Sequence, residues 1–466
     1  MSLGKRESES QREFWLETDR LATGPGHVFY DKLNRLLREH GFDQFVEQLC
    51  QPHYKSGGRP SIPPGVYFRM LMIGYLEGID SQRGIAWRCE DSLALRRFLG
   101  ISLSEETPDH SSLTRIRDRL PLSVHEEVFQ CILFVIEEQG LLKARTVGVD
   151  STYLEANAAM KSIIRKDTGE DWKAYLKRLM KEEGLLEEGD DDPTDEELRR
   201  FDQQRAKRGK KKVSNDEWAS RTDPSSKIVK MKDGRTHLGY KAEHVIDLES
   251  EVILSATVYT GTEGDSQTLL ASVLTAQTHL EQSGSSLKIE EVVADKGYHT
   301  NEQLAGAEEM DLRTYIPKPK SRYRRRWKDK PVEQHRAVAN NRRRMSRAKG
   351  KSLQRARSEK VERSFAHVCQ TGGSRRTWLR GLAKINKRYL MVAATRNLGI
   401  LMLKLFGMGK PRTLHTARDR ISAIIPVYSS LKIALWSHHR RHFPLPATCM
   451  AFWACPPHFL ANTKIG

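Results

Sequence analysis

Closely spaced cysteine pairs, which hold zinc or build disulfide frameworks, are missing from this sequence. Its six cysteines are scattered over 466 residues, and no two of them are separated by only two residues. Structural zinc sites usually draw on such pairs, and small secreted folds draw on many disulfides. We therefore expect a protein that folds around an apolar core, with neither zinc nor disulfides.

Long apolar runs are also missing. No run approaches the roughly 20 apolar residues that a helix needs to cross a bilayer. The first residues, MSLGKRESESQREFW, are polar and mixed in charge, which is not typical of a secretion signal. Together these two absences predict a cytoplasmic protein with no membrane partner.

Acidic residues are scarce in one part of a chain whose formal net charge is +18. Residues 318–363 contain 19 Lys and Arg against 4 Asp and Glu. Such a segment repels itself unless a polyanion lies nearby, which predicts binding to nucleic acid. Tyr323 and Trp327 stand among these arginines and could stack on bases. A solvated basic loop is the alternative.

The first 145 residues have the apolar periodicity of helices. IPPGVYFRMLMIGYLEGI begins after a proline pair, and its apolar residues recur at helical spacing. A shorter helix, SSLTRIRDRL, is predicted to follow a Thr107 cap with Pro108 at its first position. It carries Arg115 and Arg117. We predict a helical, helix-turn-helix-like DNA-binding domain over residues 1–145, although an ordinary helical bundle fits the same pattern.

From residue 146 the pattern changes to strands that alternate with helices. The order β-β-β-α-β-α-β predicts an α/β fold, a mixed sheet flanked by helices. We predict that this second domain spans 146–407, with a basic segment at 318–358, and that 408–466 form a C-terminal tail. Residues 158–235 interrupt the pattern with an acidic and then a basic run, so we expect an inserted, partly disordered segment there.

Two apolar runs in this region end on an aspartate. TVGVDSTYLEAN contains Asp150, and VVADKGYHT contains Asp295. Each aspartate taken alone would be a turn or capping residue. A third carboxylate, Glu362, lies on the helix RSEKVERSFAHV beside the apolar positions that pack it, and it can point toward the strand ends. Glu359, on the same helix, is a rival for this third position.

Three carboxylates from two strands and a helix form the donor set that a pair of hard divalent cations requires. Mg²⁺ prefers oxygen ligands, and two ions about 4 Å apart can clamp the attacking and leaving oxygens of a phosphodiester. The pattern therefore predicts two Mg²⁺ ions, with Mn²⁺ as a substitute, held by Asp150, Asp295 and Glu362.

The sequence resembles the DDE transposases of bacterial insertion sequences, whose catalytic domain is ribonuclease H-like. The resemblance rests on TPDHSSLTRIRDRL, VGVDSTYLEANA, VVADKGYHTNEQL, VERSFAHV and RTWLRGLAKINKRYLMVAATRNLGIL, in the family's order. It covers most of the chain and implies that Asp150, Asp295 and Glu362 are the catalytic carboxylates. One departure is Cys369, where some relatives place a lysine that contacts the substrate phosphate.

The resemblance implies a transposase that cuts double-stranded DNA at the terminal inverted repeats of its element and joins the 3′-hydroxyl ends to target DNA. It also implies a homodimer or larger synaptic complex. Candidate DNA contacts are Arg115, Arg117, Arg324, Arg325, Arg326 and Arg363. Two rivals stay open: a stand-alone nuclease of the ribonuclease H fold, and a non-catalytic DNA-binding protein descended from a transposase. The intact carboxylate set argues against the second.

Overall fold

Helices make up the N-terminal region. The computed structural model of the chain describes residues 27–55, 57, 61–187, 191–207, 214–320, 327 and 330–411. The first helices are α1 (Val28–Glu39), α2 (Phe42–Cys50), α3 (Pro64–Glu77), α4 (Gln82–Glu90), α5 (Leu93–Leu99), α6 (His110–Arg119) and α7 (Leu122–Glu138), with a 3-10 turn at Gln51–His53. The helix predicted after the proline pair is confirmed as α3. Its first residue is a proline, which fits there because that position needs no N–H donor.

The start of α6 differs from the prediction. Its N-cap is Asp109, whose carboxylate accepts a hydrogen bond from the N–H of Ser111 at 2.9 Å. An aspartate at this position satisfies a free N–H and also complements the positive end of the helix dipole. The predicted Thr107 cap is therefore wrong, and the helix begins at His110.

From Thr146 the chain forms a mixed sheet. The strands are β1 (Thr146–Glu155), β2 (Ile163–Arg165), β3 (Trp218–Ser220), β4 (Lys227–Lys230), β5 (Thr236–Asp247), β6 (Ile253–Thr260), β7 (Glu291–Ala294) and β8 (Arg313–Tyr315). β1 pairs with β5 antiparallel on one side and with β7 parallel on the other, and β8 pairs in parallel with β7. β4 and β6 pair with the outer side of β5, and β2 and β3 form a small separate sheet. The predicted mixed sheet is confirmed.

Helices cover both faces of the main sheet. They are α8 (Trp172–Glu182), α9 (Asp195–Lys207), α10 (Asp265–Gln282), α11 (Asn301–Glu309), α12 (Val332–Ser346), α13 (Ala348–Phe365) and α14 (Leu382–Phe406), and a π-helical turn at Ala366–Thr371 follows α13. On β1, Asp150 bonds to α13, whereas its neighbour Ser151 bonds to α10. Successive residues of a strand point to opposite faces, so α10 and α13 lie on opposite sides of the sheet.

Asparagines cover the edges of the sheet. On α14, Asn386 exchanges two hydrogen bonds with the backbone of Val258, and Asn397 does the same with Ile253. Both partners belong to β6. At the opposite edge, Asn341 of α12 binds the backbone N–H and C=O just after β8. Each amide replaces a missing strand partner, so these edges present fewer free groups for pairing with another chain.

The inserted segment 158–235 is more ordered than its composition predicts. Where the structure describes it, it contains β2, β3, β4, α8 and α9. Leu176 of α8 packs with Leu198 and Phe201 of α9 in a small buried cluster. The expectation of partial disorder is wrong for these described parts, because each helix has an apolar stripe that the charged composition conceals.

One helix in the described part of the chain, α14, is long and apolar enough to cross a membrane. However, 72% of its apolar window is buried inside the fold. It packs against α3, α7 and β6. This is the environment of a core helix in a folded protein.

The described residues up to Lys410 form one compact unit. Within this unit, α7 packs on both α10 and α14. The helical region and the sheet region therefore share a packed boundary. The predicted division at residue 145, and the start of the tail at 408, stay predictions.

Candidate active site

The pairing of β1 with β7 places Asp150 beside Asp295. Val149 lies opposite Ala294 in this parallel pair, so the next residue on each chain segment is an aspartate. Both aspartates are partly buried. The sequence predicted that Asp150 would end its strand, but β1 continues to Glu155 because β5 pairs with it along that length.

An arginine from α13 holds Asp150. Arg357 Nη1 donates a hydrogen bond to Asp150 Oδ2 at 2.7 Å, and the Ser151 N–H donates to Oδ1 at 2.8 Å. Burial raises the pKa of Asp150 above its ordinary value, and the charge of Asp295 raises it further, while Arg357 and the Ser151 N–H oppose this shift. The surroundings of the Asp150 carboxylate therefore favour the binding of a positively charged group beside it.

Asp295 begins the short turn Lys296–Tyr298, and its carboxylate accepts a hydrogen bond from the N–H of Gly297. A Cβ on Gly297 would lie 2.8 Å from Asp265 Oδ2 and 3.3 Å from Asp295 Oδ1. Two carboxylates therefore border the same small space, which a glycine leaves open. Asp265 is the first residue of α10 and was not predicted as part of the site.

The packing side predicted for α13 is confirmed. Val361 and Phe365 are buried, and the Phe365 ring stacks on the imidazole of His244 with centroids 4.0 Å apart. Ser364 Oγ lies 2.8 Å from His244 Nδ1. His244 is the residue of β5 directly opposite Asp150. These contacts fix α13 across the strand that carries the first aspartate.

One flank of α13 contacts the turn that follows β5. Lys360 donates to the backbone oxygen of Leu248, and Arg363 Nη1 donates to Glu251 at 2.6 Å. Both partners lie in the turn after β5, beside the first residue of β1. Helical geometry, with about 100° per residue, puts Glu362 on the flank of α13 away from Lys360 and Arg363.

Glu362 does not touch the aspartates. It is exposed and accepts a hydrogen bond from Ser358 Oγ at 3.2 Å. Its rival Glu359 is also exposed and pairs with Arg363. No group of three or more His, Cys, Asp or Glu in the described ranges is arranged to hold a metal ion. The structure thus brings Asp150 and Asp295 together. The third predicted carboxylate, Glu362, lies on an exposed flank of α13.

A buried polar network lies behind the two aspartates. Lys241 Nζ lies 2.9 Å from Asp265 Oδ1 and 3.3 Å from Glu243 Oε2, and the side chains of Lys241 and Glu243 are almost fully buried. Ser151 Oγ donates to Asp265 Oδ1 at 2.8 Å, and Tyr298 OH donates to Glu243 Oε2 at 2.8 Å. The network joins the strand of the first aspartate to the turn of the second.

Neither this network nor Arg357 was predicted from the sequence. A signal for the network was present in YKAEHVI, because Lys241 and Glu243 are two residues apart on an apolar strand and so share one face. Buried charges are rare unless they are paired. No comparable signal separates Arg357 from the many other arginines near it.

The donor chemistry of the paired aspartates fits a hard divalent cation. Carboxylate oxygens are the ligands that Mg²⁺ prefers. Two carboxylates side by side carry an excess of negative charge, which Arg357 neutralises in part. Among the described residues, Asp150 and Asp295 thus offer the kind of oxygen donors that such a cation takes.

The predicted DNA contacts have different surroundings. Arg115 is exposed, whereas Arg117 is only 5% exposed, so its placement does not support a direct contact with a duplex groove. Arg363 is exposed but is engaged by two glutamates. Residues 324–326, three of the arginines in the predicted basic segment, lie outside the described residues.

The mixed sheet, with two aspartates side by side at its centre, has a ribonuclease H-like arrangement. A transposase domain model (DUF772) matches residues 17–119, and a transposase DDE domain model matches residues 193–398. The chain belongs to the DDE transposases. The DDE match includes Asp295 and Glu362 but begins after Asp150, whose place in the site therefore rests on the strand pairing. No curated protein and no solved structure matches this chain.

Proposed function

We propose that this transposase uses Asp150, Asp295 and Glu362 to cleave DNA at the inverted repeats of its element and to join the freed ends to target DNA. The observation that carries the proposal is the side-by-side position of Asp150 on β1 and Asp295 directly after β7. The helix that packs on β1 has Glu362 on the flank away from Arg363. This glutamate, rather than Glu359, completes the set, because Glu359 is engaged by Arg363.

The chemistry is two phosphoryl transfers in sequence. In the first, a water oxygen bonds to phosphorus at the element end, and the bond from phosphorus to the 3′ oxygen breaks and leaves a 3′-hydroxyl. In the second, that hydroxyl oxygen bonds to a target phosphorus, and the 3′ oxygen of the target leaves. No bond between protein and DNA is needed.

The three carboxylates would hold Mg²⁺ or Mn²⁺. When bound, such cations activate the attacking oxygen and stabilise charge on the phosphate oxygens. The protein's own contribution is to keep the two aspartates in register, through the strand pairing and through the network that Lys241 and Asp265 form. Exposed basic residues, Arg115 among them, hold the DNA phosphates.

We further propose that the protein works in the cytoplasm as a homodimer that brings two element ends together. Strand transfer needs both ends at one target, and an assembly with one active site per end satisfies this requirement. The basic residues near α12 and α13 would follow the DNA backbone, since phosphate contacts position DNA without reading its sequence.

The test compares four variants on DNA that carries the element's ends, with Mg²⁺. Asp150→Asn, Asp295→Asn and Glu362→Gln should each reduce cleavage at least a thousandfold and leave end binding nearly unchanged, because each removes a charge without removing a phosphate contact. Glu359→Gln is the matched control on the same helix and should cleave normally. Cleavage by Glu362→Gln together with loss in Glu359→Gln would refute the assignment of the third carboxylate.

The products separate the rival functions. A stand-alone nuclease would cut element ends and yield no joined product with target DNA. A non-catalytic DNA-binding protein would retain the ends on a gel and cut nothing. Joined products that appear with the wild type and vanish with Asp295→Asn support the transposase mechanism.

A further inference from the structure

A second site is suggested by a cavity of about 380 Å³ that lies away from the carboxylates. Its walls come from α3, α4 and α6 on one side and from residues 372–379 and α14 on the other. The volume is within the range of small-molecule sites. The cavity therefore lies where the N-terminal helices meet the sheet region.

Three arginines stand in the otherwise largely apolar lining of this cavity. The lining contains Arg83, Arg117 and Arg388, whereas its only carboxylate, among the described residues, belongs to Asp80. Burial lowers the pKa of Arg117 and of Arg388, as expected for charges held away from water. A guanidinium stays protonated in proteins, so the cavity keeps an excess of positive charge.

Of the three arginines in the lining, Arg117 is the one with a buried nitrogen that lacks a hydrogen bond among the described residues. It is 5% exposed, and its Nε has no hydrogen-bond partner. Its Nη atoms lie 2.5 and 3.1 Å from the side-chain amide of Gln82, a neutral group whose oxygen can accept from both. A buried charge without an ion-pair partner destabilises a fold. Among the described residues no carboxylate forms an ion pair with the Arg117 guanidinium, and Asp118 acts on its charge only through space.

Arg69 shows what a structural arginine looks like in the same region. It is 3% exposed, and it makes two hydrogen bonds to Asp43, at 3.0 and 2.7 Å, and others to Asn34 and to the backbone of Phe98. Its charge is neutralised within the fold. The contrast with Arg69 indicates that the Arg117 guanidinium pairs with an anion that is not part of the protein.

We infer that this cavity binds the terminal 5′-phosphate of a DNA strand. Phosphate oxygens match the fork of a guanidinium, and the buried Arg117 together with the half-buried Arg388 suits its charge. Trp378 also lines the cavity with its ring 50% exposed, and its Nε1 donates to Asp80 at 2.8 Å, which fixes a surface on which a base can stack.

The position of the cavity favours a DNA strand as the source of the phosphate. Its wall segment bridges to the end of β1, where Arg376 pairs with Glu155. From there to Asp150 is five residues of strand, or roughly 17 Å. DNA that crosses the carboxylates can reach the cavity within a few nucleotides. This source rests on the proposed function, whereas the anion site itself does not.

The first test measures thermal unfolding in EDTA, where no cleavage occurs. Arg117→Met should raise the unfolding midpoint above that of the wild type, because it removes an uncompensated buried charge. Arg69→Met, the matched control, should lower the midpoint by several degrees. Inorganic phosphate at constant ionic strength should raise the wild-type midpoint more than that of Arg117→Met; the difference excludes the general effect of phosphate on proteins. A lower midpoint for Arg117→Met, or equal responses to phosphate, would overturn the inference.

The second test identifies the source of the phosphate with a short single-stranded oligonucleotide, 5′-phosphorylated or not. Fluorescence anisotropy should show that the wild type binds the phosphorylated form about tenfold more tightly, and that Arg117→Met loses this preference. Arg83→Gln removes an exposed side chain, so it should weaken the preference without affecting folding. If inorganic phosphate stabilises the protein while the oligonucleotides bind alike, the DNA source is wrong. Normal phosphate binding in an inactive Asp150→Asn background would separate this site from the proposed catalysis.

Discussion

The ion pair between Arg357 and Asp150 offers the sharpest test of the candidate metal site. The Arg357 side chain is 10% exposed, the Asp150 side chain is 25% exposed, and the two are joined at 2.7 Å. Arg357→Gln leaves a partly buried carboxylate beside Asp295. Hydrogen bonds to charged groups contribute about 1.5–3 kcal/mol, and a fully buried pair costs more to break. We expect the variant to lose about 2 kcal/mol of unfolding free energy in EDTA.

A bound cation should compensate for that loss. Mg²⁺ or Mn²⁺ at the aspartates supplies the positive charge that the variant lacks, so the metal should stabilise the variant more than the wild type. If the whole 2 kcal/mol is recovered, the variant binds the cation roughly 30-fold more tightly. Urea unfolding across a metal titration gives both quantities without measuring cleavage.

Arg363→Gln is the control on the same helix. It breaks a more exposed ion pair with Glu251, on the flank away from the aspartates. Its cost should be below about 1 kcal/mol and independent of the metal. An equal metal response in the wild type and in Arg357→Gln would refute the reasoning, because it would mean that no cation binds near Asp150.

Three further outcomes are expected. Gly148→Ala should cost about 1–3 kcal/mol of unfolding free energy, because its Cβ would lie 2.7 Å from Leu248 Cδ2 and 2.9 Å from Val361 Cγ2; unchanged stability would contradict the close approach of α13. Burial lowers the pKa of His125 to about 4, so stability present above pH 6.5 is lost as pH falls toward 4. Between pH 7 and pH 5 the unfolding free energy of His125→Gln should therefore fall by about 2 kcal/mol less than that of the wild type, which urea unfolding at the two pH values would measure. Replacing all three arginines 324–326 with alanine should reduce the slope of log affinity against log salt by roughly 2 to 3, and an unchanged slope would exclude them from DNA contact.

The mixed sheet and two of the three predicted carboxylates follow from local sequence patterns. Apolar runs with period two predict strands, and their order along the chain predicts which elements can pair. Asp150 and Asp295 stand at the ends of two such runs, so their proximity required only that β1 and β7 be parallel neighbours. The apolar stripe of α13 likewise predicted which of its residues pack against the sheet.

Predictions made from the sequence were wrong for features that depend on which residues are neighbours in space. Arg115 and Arg117 look alike on one basic helix, yet packing of α6 against the rest of the fold exposes one and buries the other. The charged composition of 158–235 predicted partial disorder, but composition does not reveal that two short apolar stripes can bury each other. Both outcomes depend on contacts between segments far apart in the chain.

By itself, the sequence determined the class of fold, the excess of positive charge and the candidate carboxylates, because these depend on residue type and short-range periodicity. The tertiary structure decided which side chains form ion pairs and hydrogen bonds with one another. It gave Asp150 the guanidinium of Arg357, 207 residues away, and it joined Lys241 to Asp265 behind the two aspartates. Within the described part of the chain, it also placed the Arg117 guanidinium against the amide of Gln82 rather than in an ion pair. Burial and ion pairing arise only when distant segments pack together, so no local pattern specifies them.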